Sequence, residues 1–66
     1  MSLAQETKLI INALKENNHY KIIMLYYMGY NFGIALEKLD IFYRVFDYKM
    51  MLLLTKIKNR EGVYYD

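Results

Sequence analysis

The stretch that decides the fold runs from Ile22 to Leu54. It begins with the sequence IIMLYYM at residues 22–28 and ends with MMLLL at residues 50–54. No charged residue occurs between Ile22 and Leu36, and most of the apolar and aromatic side chains of the chain lie in this stretch. Because burial of apolar surface is the dominant force in folding, we expect the core and any binding surface to be built from it.

Length and composition predict one small domain, residues 1–66. A chain of this length buries only about 60% of its unfolded surface, so it is marginally stable alone. The chain has no cysteine, which excludes disulfides and thiolate metal sites, and its one histidine, His19, is too few for a histidine-based metal site. We therefore expect no metal and no cofactor, and we expect good helix packing or self-association to supply the missing stability.

The charge pattern favours no particular partner. The net charge is +2, and the basic residues are spread along the chain except near Lys56, Lys58 and Arg60. The charge-free run from Ile22 to Leu36 is shorter than the roughly 17–25 residues that span a bilayer. It also contains turn-forming residues, and the N-terminus does not resemble a signal peptide. We expect no membrane span and a cytoplasmic location.

The N-terminal segment predicts an amphipathic helix over residues 2–14. Ser2 is a good N-cap, and Gln5 three residues later completes a capping-box pattern. Asn17 and Asn18 then favour a turn. The apolar face of this helix has the spacing of one helical stripe and consists of Leu3, Thr7, Ile10, Ile11 and Leu14.

The next segments predict two shorter helices. Residues 19–28 are apolar nearly all round, which is typical of a buried central helix. Gly29 is expected to end that helix, and Asn31 can cap a short third helix over residues 32–39. We expect Leu14, Ile23 and Leu39 to be buried.

The C-terminal half predicts one long helix. Asp40 is the expected N-cap of a helix from about Ile41 to Asn59, followed by an irregular tail over residues 61–66. Proline is absent, so nothing in the sequence forces an interruption. The predicted fold is therefore all-α, a small bundle of three to four helices of which the last is long.

This last helix has two apolar faces at helical spacing, separated by polar stripes that contain Asp47 and Lys56. Two apolar faces indicate one for the core and one for a partner. The alternative is a single broad core face that the long lysine stems cover. The first face consists of Ile41, Val45, Tyr48 and Leu52. The second is the predicted partner-binding face and consists of Phe42, Phe46, Met50, Leu53, Leu54 and Ile57.

The acidic residues are the main candidates for chemistry. Glu37, Asp40 and Asp47 could in principle bind a metal or act in acid–base catalysis. Arg44 lies four residues after Asp40 and three before Asp47, which are ion-pair positions on a helix. We interpret these carboxylates as caps and surface pairs, and His19 as a polar residue at a helix start. The sequence therefore predicts no enzyme.

Two family resemblances begin near Met28. The segment with Gly29-Tyr30-Asn31-Phe32, Ala35-Leu36-Glu37-Lys38-Leu39-Asp40-Ile41 and Phe46 resembles the helix-turn-helix of DNA-binding regulators, with Asp40 in the turn. This resemblance implies DNA contacts from Tyr43, Arg44 and Lys49. Met28-Gly29-Tyr30 followed by Ala35, Leu39, Phe46, Leu53 and Leu54 resembles the ubiquitin-associated three-helix domain. That resemblance implies a binding surface at the Met-Gly-aromatic loop.

The sequence as a whole predicts function by contact. Tyrosine and methionine are abundant, and both are frequent at protein interfaces. We expect a small helical regulator or inhibitor that binds itself, as a homodimer, and another protein. The alternative is a helix-turn-helix DNA-binding transcriptional regulator.

Overall fold

The computed structural model describes residues 2–38 and 46–61, which form four helices and contain no strand. These are α1 (Leu3–Lys15), α2 (His19–Tyr27), α3 (Gly33–Glu37) and α4 (Tyr48–Glu61). Helix α1 packs against α2 and α3, and α3 also packs against α4. The prediction of a small all-α bundle with a long last helix is confirmed, since α4 has 14 residues and only α1, with 13, approaches it.

The start of α1 is fixed by the predicted capping box. The Ser2 hydroxyl accepts a hydrogen bond from the Gln5 backbone N–H at 3.2 Å, and Gln5 Oε1 accepts one from the Ser2 backbone N–H at 3.0 Å. Two of the backbone donors that a helix start leaves unpaired are thereby satisfied. The sequence signal is local, and the structure confirms it.

The two asparagines after α1 have separate tasks. Asn17 adopts a positive φ of 54° and its N–H donates to the Leu14 carbonyl, while the Asn18 N–H donates to the Ala13 carbonyl. This is the Schellman arrangement that ends a helix. The Asn18 side chain then accepts from the Lys21 N–H at 3.1 Å and caps α2. The helices α1 and α2 are therefore joined by a tight turn.

Gly29 ends α2, as predicted. Its φ is +86°, a conformation that glycine adopts with little strain. The Gly29 N–H donates to the Tyr26 carbonyl and the Tyr30 N–H donates to the Leu25 carbonyl, which is again the Schellman pattern. The chain therefore leaves α2 in a fixed direction toward α3.

Helix α3 is shorter than predicted. It spans five residues from Gly33 to Glu37, and Phe32 occupies the N-cap position without a side-chain hydrogen bond. Asn31 assists from one residue earlier, where its Oδ1 accepts from the Gly33 N–H at 2.8 Å. Leu39, which we expected to be buried, lies outside the described residues.

Helix α4 starts later than the sequence indicated. Asp47 caps it, because its Oδ1 accepts from the Met50 N–H at 2.7 Å and its carbonyl accepts from the Met51 N–H at 3.0 Å. Phe46 lies in a bend before this cap. The prediction of one helix continuous from about Ile41 is therefore corrected at residues 46 and 47. The expected cap Asp40 and the tail after Glu61 lie outside the described residues.

The core takes residues from all four helices. Only one face of α2 is buried, through Ile22 and Leu25. Ile23 is 39% exposed, so the prediction that it is buried is wrong, whereas the prediction for Leu14 is confirmed. The buried apolar residues are Ile10, Ala13, Leu14, Ile22, Leu25, Phe32, Ala35, Leu36, Met50, Leu54 and Ile57.

Thr7 is the buried polar residue of this core. Its hydroxyl oxygen is buried and has no hydrogen-bond partner among the described residues. A buried polar group without a partner costs stability relative to an apolar group of the same shape.

Candidate interaction surface

The outward face of α2 carries an apolar and aromatic stripe. Its five side chains are between 39% and 77% exposed. Their spacing of i, i+3, i+4, i+7 and i+8 places them on one side of a helix. We define the α2 stripe by these residues, which are Tyr20, Ile23, Met24, Tyr27 and Met28.

The α2 stripe explains why residues 19–28 are apolar nearly all round. Helix α2 has two apolar faces, of which Ile22 and Leu25 point into the core and the stripe points outward. From the sequence, we predicted two apolar faces on the last helix and did not predict them on α2. The signal was present, because a second apolar face at helical spacing is visible at residues 20, 23, 24, 27 and 28. Large contiguous exposed apolar patches are frequent at interaction sites.

One edge of the stripe borders an open groove toward α4. The groove has a volume of about 290 Å³. Ile23 and Tyr27 line it from α2, and Leu53, Lys56 and Arg60 line it from α4. Tyr26 and Ile57 complete the lining. We call this depression the α2–α4 groove.

Tyr26 lines the groove and contacts three other side chains. Its ring makes edge-on contacts with Phe32, at 5.7 Å between centroids, and with Tyr27, at 6.0 Å. The Arg60 guanidinium lies over the Tyr26 ring at 5.8 Å from the centroid, which is a cation–π distance. Arg60 also lines a second depression of about 410 Å³ near Gly29. The guanidinium therefore sits where the two depressions meet.

The charges along the groove have one sign. Lys49, Lys56 and Arg60 are exposed, and their spacing of seven and four residues places them on one side of α4. Lys56 and Arg60 belong to the groove lining, and no Asp or Glu of the described residues does. The groove therefore combines an apolar lining with a positive edge.

The structure divides the predicted partner-binding face of the last helix. Met50, Leu54 and Ile57 are at most 3% exposed and belong to the core. This part of the predicted face packs in the core, and contact of a partner with these three residues stays a prediction. Phe46 and Leu53 are partly buried and pack against the core. Contact of a partner with these two stays a prediction. Phe42 lies outside the described residues.

The opposite face of α4 is exposed. Tyr48 is 78% exposed and Leu52 is 46% exposed, whereas Ile41 and Val45 lie outside the described residues. Of the two apolar faces seen in the sequence, the one expected to bind a partner is thus largely internal. The exposed pair is smaller than the α2 stripe.

The predicted DNA-binding residues are described only in part. Lys49 is exposed and is the second residue of α4. Tyr43 and Arg44 lie outside the described residues, as does the predicted start of a recognition helix near Phe42. DNA contact by these residues stays a prediction.

Asp47 makes contacts that the sequence did not indicate. Asn17 Nδ2 donates to Asp47 Oδ2 at 2.7 Å, and His19 Nε2 lies 3.1 Å from Asp47 Oδ1. The hydrogen bond from Asn17, followed by those from the Met50 backbone N–H and His19, lowers the pKa of Asp47 from 3.8 to about 2. These contacts fix the position of α4 relative to the α1–α2 turn.

Among the described side chains, those of residues 2–38 and 46–60, no three His, Cys, Asp or Glu groups come together in a way that could hold a metal ion. None of the helices in these ranges is long and apolar enough to cross a bilayer.

The chain matches no protein-family model, and comparisons with curated proteins and with solved structures also found no match. The helix-turn-helix and ubiquitin-associated resemblances gain no support from these comparisons.

Proposed function

We propose that this protein is a small helical regulator or inhibitor that acts by protein–protein contact, self-association included, and not by catalysis. The observation that carries the proposal is the α2 stripe. Monomeric proteins rarely leave a contiguous set of large apolar side chains in water without a binding role. Aromatic residues and methionine are also the residues that protein interfaces enrich, and the stripe contains two tyrosines and two methionines.

The position of the stripe on the outward face of α2 supports self-association. In a two-fold contact the same patch is used twice, so the stripe of one protomer can pack against that of its partner. Met24 is the middle residue of the stripe and is 43% exposed, so a contact centred on the stripe would cover it. Tyr20 and Tyr27 can bury their rings there and leave their hydroxyls at the wet edge.

The α2 stripe can also cover a surface of another protein. An apolar helical face binds in a groove or against another helix through anchors at the spacing found here. When a protein covers a surface of its partner, it blocks or holds that surface. By a regulator or inhibitor we mean a protein that acts in this way. The flexible thioethers of Met24 and Met28 adapt to an uneven partner surface.

Fewer observations support the DNA-binding alternative. Of its three residues, only Lys49 is described, and one exposed lysine does not distinguish DNA from any other anion. DNA binding would weaken steeply as salt is raised, because counterions released from the phosphates are the driving force. Contact through the apolar α2 stripe would not weaken in this way.

The proposal is tested by thermal unfolding of the full chain over a wide range of protein concentration. Because folding and self-association are coupled, the Tm should rise with concentration. Tyr27→Lys should abolish this rise, since it puts a charge into the contact. Tyr48→Lys is the matched control, because Tyr48 on α4 is as exposed as Tyr27, at 78% against 77%. A Tm that is independent of concentration in the unmodified protein would count against self-association.

A further inference from the structure

We infer that the α2–α4 groove binds an acidic amphipathic helix of a partner protein. Apolar side chains of that helix would pack against Ile23 and Leu53, and its carboxylates would pair with Lys56 and Arg60. The inference rests on the proposed function and specifies the chemistry of the partner.

The apolar lining of the groove sets the first requirement. Ile23 is 39% exposed, and Leu53 is partly buried beside it. Together with Ile57 they line an open space of about 290 Å³. An open apolar groove along two helices takes the apolar face of a third helix, which presents anchors at i, i+3, i+4 and i+7.

The charges at the edge set the second requirement. Lys56 and Arg60 are exposed, four residues apart, and so lie one helical turn from each other. No described acidic residue lines the groove to neutralise them. Across an interface, charged groups are arranged so that the potentials are complementary, which steers the partner and fixes its register. The partner helix should therefore carry carboxylates beside its apolar face.

The same observations disfavour a nucleic acid. Binding of single-stranded nucleic acid requires aromatic faces on which bases stack. Arg60 already lies over the Tyr26 ring, which leaves Tyr27 as the one exposed aromatic side chain of the described lining, beside the aliphatic Ile23, Leu53 and Ile57. One exposed ring can stack one base, whereas a bound strand stacks successive bases. A second copy of this chain is also disfavoured here. A two-fold contact centred on the groove would bring the Lys56 and Arg60 side chains of both protomers together, and like charges repel.

The test uses the full chain and two fluorescein-labelled synthetic peptide helices. Both carry leucine at i, i+3, i+4 and i+7, and they differ in having glutamate or lysine on the flanking positions. Fluorescence anisotropy should give at least about tenfold tighter binding of the acidic peptide. The double variant Lys56→Glu/Arg60→Glu should bind the acidic peptide about tenfold more weakly than the unmodified protein does, and it should bind the basic peptide more tightly. The affinity of the neutral variant Lys56→Gln/Arg60→Gln for the acidic peptide should lie between those of the unmodified protein and the double glutamate variant.

The matched control is Lys8→Glu/Lys38→Glu. It makes the same change in net charge at two exposed lysines that do not line the groove, and it should retain the preference for the acidic peptide. Equal affinity for the two peptides, or an equal loss in the control, would overturn the inference. The inference would also be overturned if a mixed-sequence single-stranded oligonucleotide bound more tightly than the acidic peptide and this binding depended on Lys56 and Arg60.

Failure of the inference can be told apart from failure of the proposed function. The concentration dependence of the Tm reports self-association without any peptide. If the Tm depends on concentration but the protein does not prefer the acidic peptide over the basic one, only the inference about the partner is wrong. If the Tm does not depend on concentration while the acidic peptide binds through Lys56 and Arg60, the inference stands and self-association falls.

Discussion

The Asn17 side chain donates a hydrogen bond of 2.7 Å to Asp47 Oδ2, and this joins the α1–α2 turn to the first turn of α4 across 30 residues of sequence. The other oxygen of the same carboxylate accepts from the Met50 N–H and lies 3.1 Å from His19 Nε2. Asp47 is therefore both the cap of α4 and a tertiary anchor.

This contact makes stability depend on acidity in a defined window. The pKa of Asp47 is lowered from 3.8 to about 2 by these hydrogen bonds. Because the folded-state pKa is the lower one, the stabilisation by ionised Asp47 is complete above pH 3.8 and is lost as the pH falls toward 2. Asp47→Asn should be less stable at neutral pH and should lose less stability on acidification than the unmodified protein.

Urea unfolding at a series of pH values measures this difference. Glu37→Gln is the control, because it removes an exposed carboxylate that takes no part in the contact and should leave the loss on acidification in place. Equal acid sensitivity of Asp47→Asn and the unmodified protein would show that the hydrogen bonds of Asp47 do not stabilise the fold.

The adjacent isoleucines of α2 should respond differently to truncation. Ile22 is fully buried, so Ile22→Ala should cost about 2–5 kcal/mol through lost burial and the cavity left behind. Ile23 is 39% exposed, and Ile23→Ala should cost less than about 1 kcal/mol in the monomer. Urea unfolding at low protein concentration is the measurement. Equal losses would mean that the orientation of α2 is wrong.

A milder variant keeps this comparison usable if Ile22→Ala does not fold. Ile22→Val should cost about 0.5–1.5 kcal/mol. Ile23→Val should be nearly neutral, since the methylene it removes is partly in water.

Gly29 should be replaceable only at the expense of backbone strain. No atom lies within 4 Å of the position that a Cβ would take, so any loss comes from the φ of +86° and not from a clash. Gly29→Ala should cost about 1 kcal/mol, and Gly29→Asn should cost less, because asparagine tolerates this conformation. Unfolding free energies of the two variants test this, and a gain in stability on Gly29→Ala would contradict the positive φ.

The features that sequence predicted well are local ones. Ser2 and Gln5 are three residues apart, and Gly29 acts on the carbonyls of the preceding turn, so a short window contains all the information. Asp47 shows the opposite case. It was interpreted as one half of a surface pair with Arg44, because nothing within a few residues reveals that Asn17 donates to it.

The orientation of α2 could not be predicted for a related reason. Ile22 and Ile23 are chemically identical, and a helix that is apolar nearly all round gives periodicity no contrast to detect. The packing of α1 against α2 decides which of the two isoleucines points into the core, and this packing is a tertiary relationship. The last helix has the same lack of contrast, and Met50, which was predicted to contact a partner, is fully buried there.

The central claim, that the α2 stripe is a contact surface through which the protein self-associates, is tested most directly by sedimentation equilibrium. The comparison uses the unmodified chain, Met24→Lys at the centre of the stripe and Leu52→Lys on α4 as a matched control. Met24 and Leu52 are similarly exposed, at 43% and 46%, and each substitution replaces an apolar side chain by the same cation. We expect a dimer mass for the unmodified chain and for Leu52→Lys at high concentration, and a monomer mass for Met24→Lys at every concentration. A monomer mass for all three proteins, or loss of the dimer in Leu52→Lys but not in Met24→Lys, would contradict the claim.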